Sequence, residues 1–447
     1  MFTNFKSLVI TPPPGLPLAG NAREDAAARG VHDDLCANFA YLESGGKRLL
    51  FIGLDLVGIN GEDCGAIKAG IFTAAGLTED EIVICATHTH SGPDVIAVFG
   101  GFLTAADIEN IDRYRRWLVD AVVNETPGLI QNKQISRLGF TREKIENCSF
   151  NRRVRLKNGV TKMVFEEYDH ADIDYLLGPN GWPWMSVIAF DDGGGRIRGV
   201  IVQFTSHPAI VCGTDWLYSR DYIDALTNGI KRRYGEDTVV VFANGAQGNL
   251  VAADPYKPFI TGFEEAERIG GMLADGAVRA LERIVKKDAF KDDVKIKTAI
   301  TRVTLPIREI TEKDIAYADA LLERAKNTGV QLHGLDPRVE AASIMEMAEY
   351  PHAEETTVAQ AIVLGDMRIA TFPGEVFFEY ALQVLDGYLD RGLIIGLAND
   401  FIGYIPTRAA FGEGGYEIKT SRGSSRFAPE AGEILAARAR ELLIGIS

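Results

Sequence analysis

The stretch Ile82-Val-Ile-Cys-Ala-Thr-His88-Thr-His90-Ser-Gly-Pro93 constrains this chain more than any other. Its short apolar, β-branched run reads as a buried strand. The run ends on two histidines at i and i+2, and Ser-Gly-Pro marks a turn directly after them. The histidines therefore sit at or just past the strand's carboxyl end, where open α/β sheets bind ligands. Neutral imidazole is also the commonest protein ligand for metals of the zinc type. A pair of hydrogen-bonded histidines closing a strand fits the same letters, so this stretch alone leaves metal, catalysis and plain structure open.

The pattern recurs along the chain. Leu49 to Ile59 is an apolar run carrying one acid, Asp55, which must be paired or hydrogen-bonded if buried. Asn60-Gly-Glu-Asp then opens a helix expected to end near Gly76. Gly199 to Phe204 runs into His207-Pro208, and Asp221 reads first as the N-cap or first-turn acid of a helix over Tyr222–Tyr234. Thr238 to Ala243 breaks into Asn244-Gly245-Ala-Gln-Gly-Asn249, a turn that is either tight packing or a close backbone approach to a ligand. A hairpin over Val358–Phe372 ends at Pro373-Gly374-Glu375, where a helix is expected to begin. Gly392 to Ala398 ends on Asn399, with Tyr404 and a Gly-rich loop containing Tyr416 beyond it.

Each of these polar groups has a plain structural explanation. Their shared position, where an apolar run gives way to a turn, is harder to attribute to packing. Two to three histidines with one carboxylate is the ligand set of a catalytic zinc. Strand alternating with helix predicts an α/β fold, with mostly parallel or mixed sheets flanked by helices. No sustained internal repeat is visible. Trp182 and Trp184, in a Gly/Pro loop, read as a packed turn or a pocket wall.

Composition narrows the partners. The 447 residues carry a formal net charge of -15, which argues against nucleic acid and anionic membrane surfaces. No apolar run is long enough to span a bilayer, and no signal peptide is evident, so a cytoplasmic protein without stable membrane insertion is expected. The five cysteines are scattered and form no CxxC pair, which fits a reducing compartment.

Taken together, the ordered segments resemble the neutral (non-lysosomal) ceramidases and their bacterial relatives. Thr87-His88-Thr-His90-Ser-Gly-Pro93, Phe204-Thr-Ser-His207-Pro208, Pro373-Gly374-Glu375, and Gly403-Tyr404 with Tyr416-Glu417 are similar to that family's zinc-ligand segments, and Asn151-Arg152 to its active-site arginine segment. The resemblance implies that His88, His207, Glu375 and Tyr404 hold one Zn2+ per chain. It implies that His90, Arg152 and Tyr416 face the scissile amide of an N-acyl substrate. Asp55, Asp221, Asn244, Gly245, Asn249 and Asn399 are expected behind these groups or along the substrate.

Two departures shape the expectation further. The family's serine position carries Val251, and its acid is Asn249. The chain also ends soon after the last matched segment, without the family's C-terminal β-sandwich. A single catalytic domain over 1–447 is expected, with a smaller inserted β/loop segment at 133–185. The expected activity is zinc-dependent hydrolysis of a small-molecule amide, weak on long-chain ceramide. A zinc esterase or lactonase on a small polar substrate, and a non-catalytic binding protein that keeps the fold, are the alternatives. A homo-oligomer is left open.

Overall fold

The computed structural model describes residues 1–20, 25–97, 103–212, 215–329 and 336–447. Three mixed sheets organise it, and each is built the same way. In the first, β1 (Phe2–Val9), β2 (Cys36–Ser44) and β3 (Lys47–Leu54) form an antiparallel meander. Helix α1 (Gly61–Ala75) then crosses to β4 (Ile82–Ala86), which pairs parallel to β3. The local chemistry of α1 is legible: Asn60 caps its first turn by accepting from the Asp63 amide, and Gly76 ends it at φ 68°. Helix α2 (Ala105–Gln131) follows.

The second sheet repeats this plan. β5 (Arg137–Lys144), β6 (Trp184–Asp191) and β7 (Ile197–Phe204) are antiparallel; α3 (Tyr222–Tyr234) crosses to β8 (Val239–Asn244), parallel to β7. Helix α4 (Phe263–Lys286) covers it. The third sheet takes β9 (Ile296–Pro306), β10 (Glu354–Leu364) and β11 (Met367–Thr371), with α5 (Glu312–Ala325) and α6 (Pro337–Ala348) between β9 and β10. After β11 come the two-residue strand β12 (Glu375–Val376), α7 (Phe378–Val384) and β13 (Gly392–Ile395), which pairs parallel to β11. A second two-residue strand, β14 (Tyr404–Ile405), α8 (Arg408–Glu413) and α9 (Ala431–Ile446) complete the chain.

The fold is therefore mixed α/β, with antiparallel pairing predominant and one parallel edge in each sheet. The threefold recurrence of topology has no counterpart in a visible sequence repeat. The connections differ too much: 10–35, 145–183 and 307–353 separate the first two strands of the respective sheets. The stretch 133–185, expected as a small insertion, contributes β5 to the second sheet. It also contributes Gln134–Ile135 to the first sheet, pairs Phe150–Asn151 with Leu250–Val251, and forms a three-stranded sheet of Arg153–Leu156, Thr161–Met163 and Ile173–Leu176.

The three sheets turn one face each toward a common core. Phe51 and Val83, Ile201 and Val241, and Ile369 and Leu393 meet there. Their alternate residues face outward onto helices: Ile52 and Ile84 onto α1 and α2, Val200 and Phe242 onto α3 and α4, Ala370 and Ile394 onto α7 and α9. Both faces of the paired strands are thus apolar, which is why these strands read as continuous hydrophobic runs. Each such Leu, Ile or Phe contributes about 1.5–3 kcal/mol by leaving water. No helix among the described residues is long and apolar enough to cross a membrane.

Candidate active site

The two parallel strands of each sheet end close together, and the polar residues past those ends converge. His88 follows β4, His207 follows β7 and Glu375 follows β11. His88 adopts φ 76°, a left-handed conformation that costs a non-glycine residue about 1–3 kcal/mol. Two contacts hold it there: its amide donates to the Leu56 carbonyl at 2.9 Å, and its Nδ1 lies 2.6 Å from the Val57 carbonyl. His207 Nδ1 lies 3.0 Å from the Gln247 carbonyl. A carbonyl only accepts, so each Nδ1 carries its hydrogen and each Nε2 is left facing the cavity.

Those two Nε2 atoms are 3.1 Å apart. Glu375 Oε2 lies 3.2 Å from the first and 3.0 Å from the second. His88, His207 and Glu375 are each no more than 3% exposed. Burial and then the Arg152 charge lower the His207 pKa to about 3, so this imidazole is neutral at ordinary pH. Burial alone would raise Glu375, yet the two imidazoles outweigh it and hold the carboxyl well below the usual range. Imidazole nitrogens and a carboxylate aimed at one point are the donor types of a metal site. His88, His90 and His207 offer ligand atoms all within 4.8 Å of one another, and they are the His/Cys/Asp/Glu grouping among the described residues that suits a metal ion. The donor set fits one.

Glu375 reaches this position by a route the sequence reading missed. It does not open a helix. It lies in β12, which pairs in parallel with β14, placing Glu375 opposite Tyr404. Gly374 permits that pairing, since a Cβ there would stand 2.5 Å from the Gly403 carbonyl oxygen. The Tyr404 hydroxyl lies 3.5 Å from His207 Nε2 and accepts from Arg152 Nη2 at 3.0 Å. Arg152 Nη1 is 3.2 Å from His207 Nε2, and its Nε donates to Glu417 at 2.7 Å. Tyr416 packs edge-on against both Tyr404 and Phe165. His90 Nε2 is 3.4 Å from His88 Nε2. The backbone of Gly20 presses on the His90 ring, where a Cβ would meet it at 2.5 Å.

The residues expected behind the site or along the substrate make cross-links between the surrounding loops and strands. Asn244 donates to the Thr87 and Ser206 carbonyls, joining the two histidine loops. Gly245 lies so close to Thr205 that a side chain would overlap its hydroxyl. Asp55 accepts from the Cys36 amide and is pushed up to about 7 by burial, against the lowering effect of Arg220. Asp221 accepts from Tyr222, Ile210 and Val211, so it caps α3 and pins the loop after His207; burial raises it to about 6. Asn249 receives the Phe378 amide at the start of α7 and donates to Glu379. Asn399, at φ 66°, binds β4 through the Ile84 amide and donates to Gln360. Trp182 packs on Phe378, and Trp184 is 38% exposed; neither lines the cavity.

The cavity itself holds about 30 Å³ and is lined by His90, Arg152, His207, Tyr404 and Tyr416 together with Val251, Phe165, Phe259 and Ala209. The sequence reading named Glu417 only within the Tyr416-Glu417 segment and gave Arg153 no role. Both are buried, and Glu417 bridges Arg152 and Arg153, with Oε1 at 2.7 Å from Arg152 Nε and Oε2 at 3.5 Å from Arg153 Nε. The signal available was the dipeptide Arg152-Arg153 in an otherwise buried β segment, since two adjacent guanidinium groups there need acidic partners.

No family model matches the sequence. Solved structures do. A neutral ceramidase from Pseudomonas aeruginosa superposes with a TM-score of 0.72 at 17% identity, over 99% of this chain and 74% of that one. The fold is that of the neutral ceramidases. A ceramidase complexed with C2 gives a TM-score of 0.70 at 18% identity, over 100% of this chain and 74% of that one. The neutral-ceramidase-like fold thus spans all three sheets of this protein.

Proposed function

We propose that this protein is a zinc-dependent hydrolase of N-acyl amides. The observation that carries the reading is the meeting of two imidazole Nε2 atoms and one carboxylate oxygen within 3.0–3.2 Å, each imidazole oriented by a backbone carbonyl. Orienting contacts of this kind are typical of metal-binding histidines. The likeness to ceramidase structures supports the amide as the bond cleaved. His88, His207, Glu375 and Tyr404 would hold the ion. Bound zinc supplies a Lewis acid and lowers the pKa of a coordinated water to about 7.

The remaining groups have separate tasks. Burial, with Glu375 adding to it, pushes the Tyr416 phenol above its ordinary range, so it stays protonated and can donate to a developing oxyanion. Arg152, held by Glu417, adds fixed positive charge beside the same point. His90 is only half-buried and sits at the cavity edge, where it can pass a proton to a leaving amine. Val251 has no heteroatom, so water is the attacking group and no acyl-enzyme forms.

Three measurements test this. A panel of short, soluble amides and esters should show turnover that a chelator abolishes, with long-chain ceramide among the poorest substrates; chelator-insensitive turnover, or none on any member, would reject the reading. Tyr416→Phe should lower kcat by about 10²–10³ with little change in KM. An unchanged kcat removes Tyr416 from the reaction, and an acyl adduct trapped by rapid-quench mass spectrometry removes direct attack by water.

A further inference from the structure

Tyr416 stands at the head of a β-turn. The Lys419 amide donates to the Tyr416 carbonyl at 3.1 Å, which closes the turn Tyr416-Glu417-Ile418-Lys419. Gly412, Gly414 and Gly415 come just before it and give the chain there little stiffness of its own, so the turn's position depends on its tethers. One tether is Glu417, which binds Arg152 in the cavity lining. Another is Arg308, in the connection between β9 and α5. Its Nη1 donates to the Ile418 carbonyl at 2.8 Å and to the Thr420 hydroxyl at 2.7 Å. Its guanidinium lies 4.8 Å over the Phe411 ring of α8. The backbone that carries Arg308 is itself stitched down: its amide donates to the Arg426 carbonyl at 2.8 Å, and the Ala428 amide donates to the Pro306 carbonyl at 2.9 Å.

A buried guanidinium ordinarily pairs with a carboxylate. Here Nε and Nη2 are buried and find no hydrogen-bond partner among the described residues. Those two atoms make up one edge of the fork that can grip a carboxylate with two parallel bonds. Burial accordingly pushes the Arg308 pKa down to about 10, against the raising effect of Asp314, and the group stays charged at neutral pH. With no carboxylate on that edge, the charge acts on the two turn oxygens. Hydrogen bonds from an ionised donor are roughly twice as strong as neutral ones. We infer, on the hydrolase reading above, that Arg308 is a positioning residue: by holding the 416–420 turn it sets the Tyr416 hydroxyl against the reacting carbonyl. Arg308 is not among the residues that line the cavity, so it acts through Tyr416. A displacement of about 1 Å at a reacting group costs about 10²-fold in rate, and a side chain at the head of a turn moves with the turn.

The test uses the full-length, zinc-loaded protein and the best substrate of the panel above. Arg308→Ala should lower kcat by about 10–10²-fold and leave KM nearly unchanged. Arg308→Lys keeps the charge but offers one point to two acceptors, and should recover part of the loss. Ethylguanidinium added to the alanine variant should raise its kcat, and ethylammonium should not. Thr420→Val removes one acceptor without touching the charge; it serves should Arg308→Ala fail to fold by circular dichroism, and it should lower kcat by less. Hydrogen exchange followed by mass spectrometry reads the turn without turnover. The peptide over 411–420 should exchange about tenfold faster in Arg308→Ala, while peptides carrying His88 and His207 stay unchanged. Unchanged kcat and exchange in both folded variants, or faster exchange spread over all three sheets, would overturn the assignment. If the turn alone loosens and the unaltered protein hydrolyses no amide or ester, the tether stands and the hydrolase reading falls. If the unaltered protein does hydrolyse them and both variants match it in kcat and exchange, the reverse holds.

Discussion

His207→Ala and Glu375→Ala should each purify with little bound metal, against about one zinc per chain in the parent protein. The expectation follows from how few donors there are and how each is held. His207 brings an imidazole fixed by the Gln247 carbonyl, and Glu375 brings a carboxylate to the point between the two rings. A three- or four-ligand site loses a quarter to a third of its donors with either change. Loss of a mere orienting contact around a metal already costs about 10–100-fold in affinity, so loss of a ligand should cost more. Metal analysis after dialysis against a mild chelator reads the outcome. Full occupancy in both variants would show that these residues do not hold the ion.

The second large effect should come from a residue outside the ligand set. Glu417→Ala should destabilise the protein by about 3–5 kcal/mol, because it leaves buried guanidinium charge without its partner. Glu417 is 0% exposed, Arg152 4% and Arg153 1%. Burial works against the charge on Arg152, but Tyr404 and Glu417 outweigh it and hold its pKa above the ordinary arginine range. Arg153 also binds Glu413 and the Gly414 carbonyl, so this cluster fixes the loop that carries Tyr416. Glu417→Gln keeps a hydrogen-bond acceptor for Arg152 and should cost less stability than alanine. Its kcat should still fall by about 10²-fold if Arg152 shifts by an ångström. Urea unfolding with steady-state kinetics separates the two effects, and an alanine variant within about 1 kcal/mol of the parent would show the triad to be dispensable.

The histidines were legible because an apolar strand that stops on His88 or His207 and meets a turn has few places to go. Their partners were not. Glu375 follows a hairpin and precedes a helix, so local rules place it in the first helical turn. What decides its position is pairing with Tyr404, 29 residues on, and no local pattern encodes that contact. Glu417 lies in a charged, Gly-rich loop, where acids are ordinarily solvated; its burial depends on two arginines more than 260 residues earlier. Asn249 and Asn399, expected behind the site or along the substrate, bind backbone groups and neighbouring side chains. A polar side chain at a strand end satisfies stray backbone groups as readily as it contacts a ligand, and here it does the former.

The recurrence of one topology in three sheets has a consequence for assembly. His88 follows a strand of the first sheet, His207 follows a strand of the second, and the β12–β14 pair beyond the third sheet supplies Glu375 and Tyr404. No third of the chain contains a usable set of donors, and the two histidines alone are 119 residues apart. Occupying the point where they meet ties three segments together and closes very long loops in the unfolded chain. On the metal-site reading proposed above, an ion's binding energy would become folding energy, available only once all three sheets have docked. Chelation and heat should accordingly act on the same equilibrium: each degree of stability lost on stripping the ion measures how far the sheets depend on their common tether.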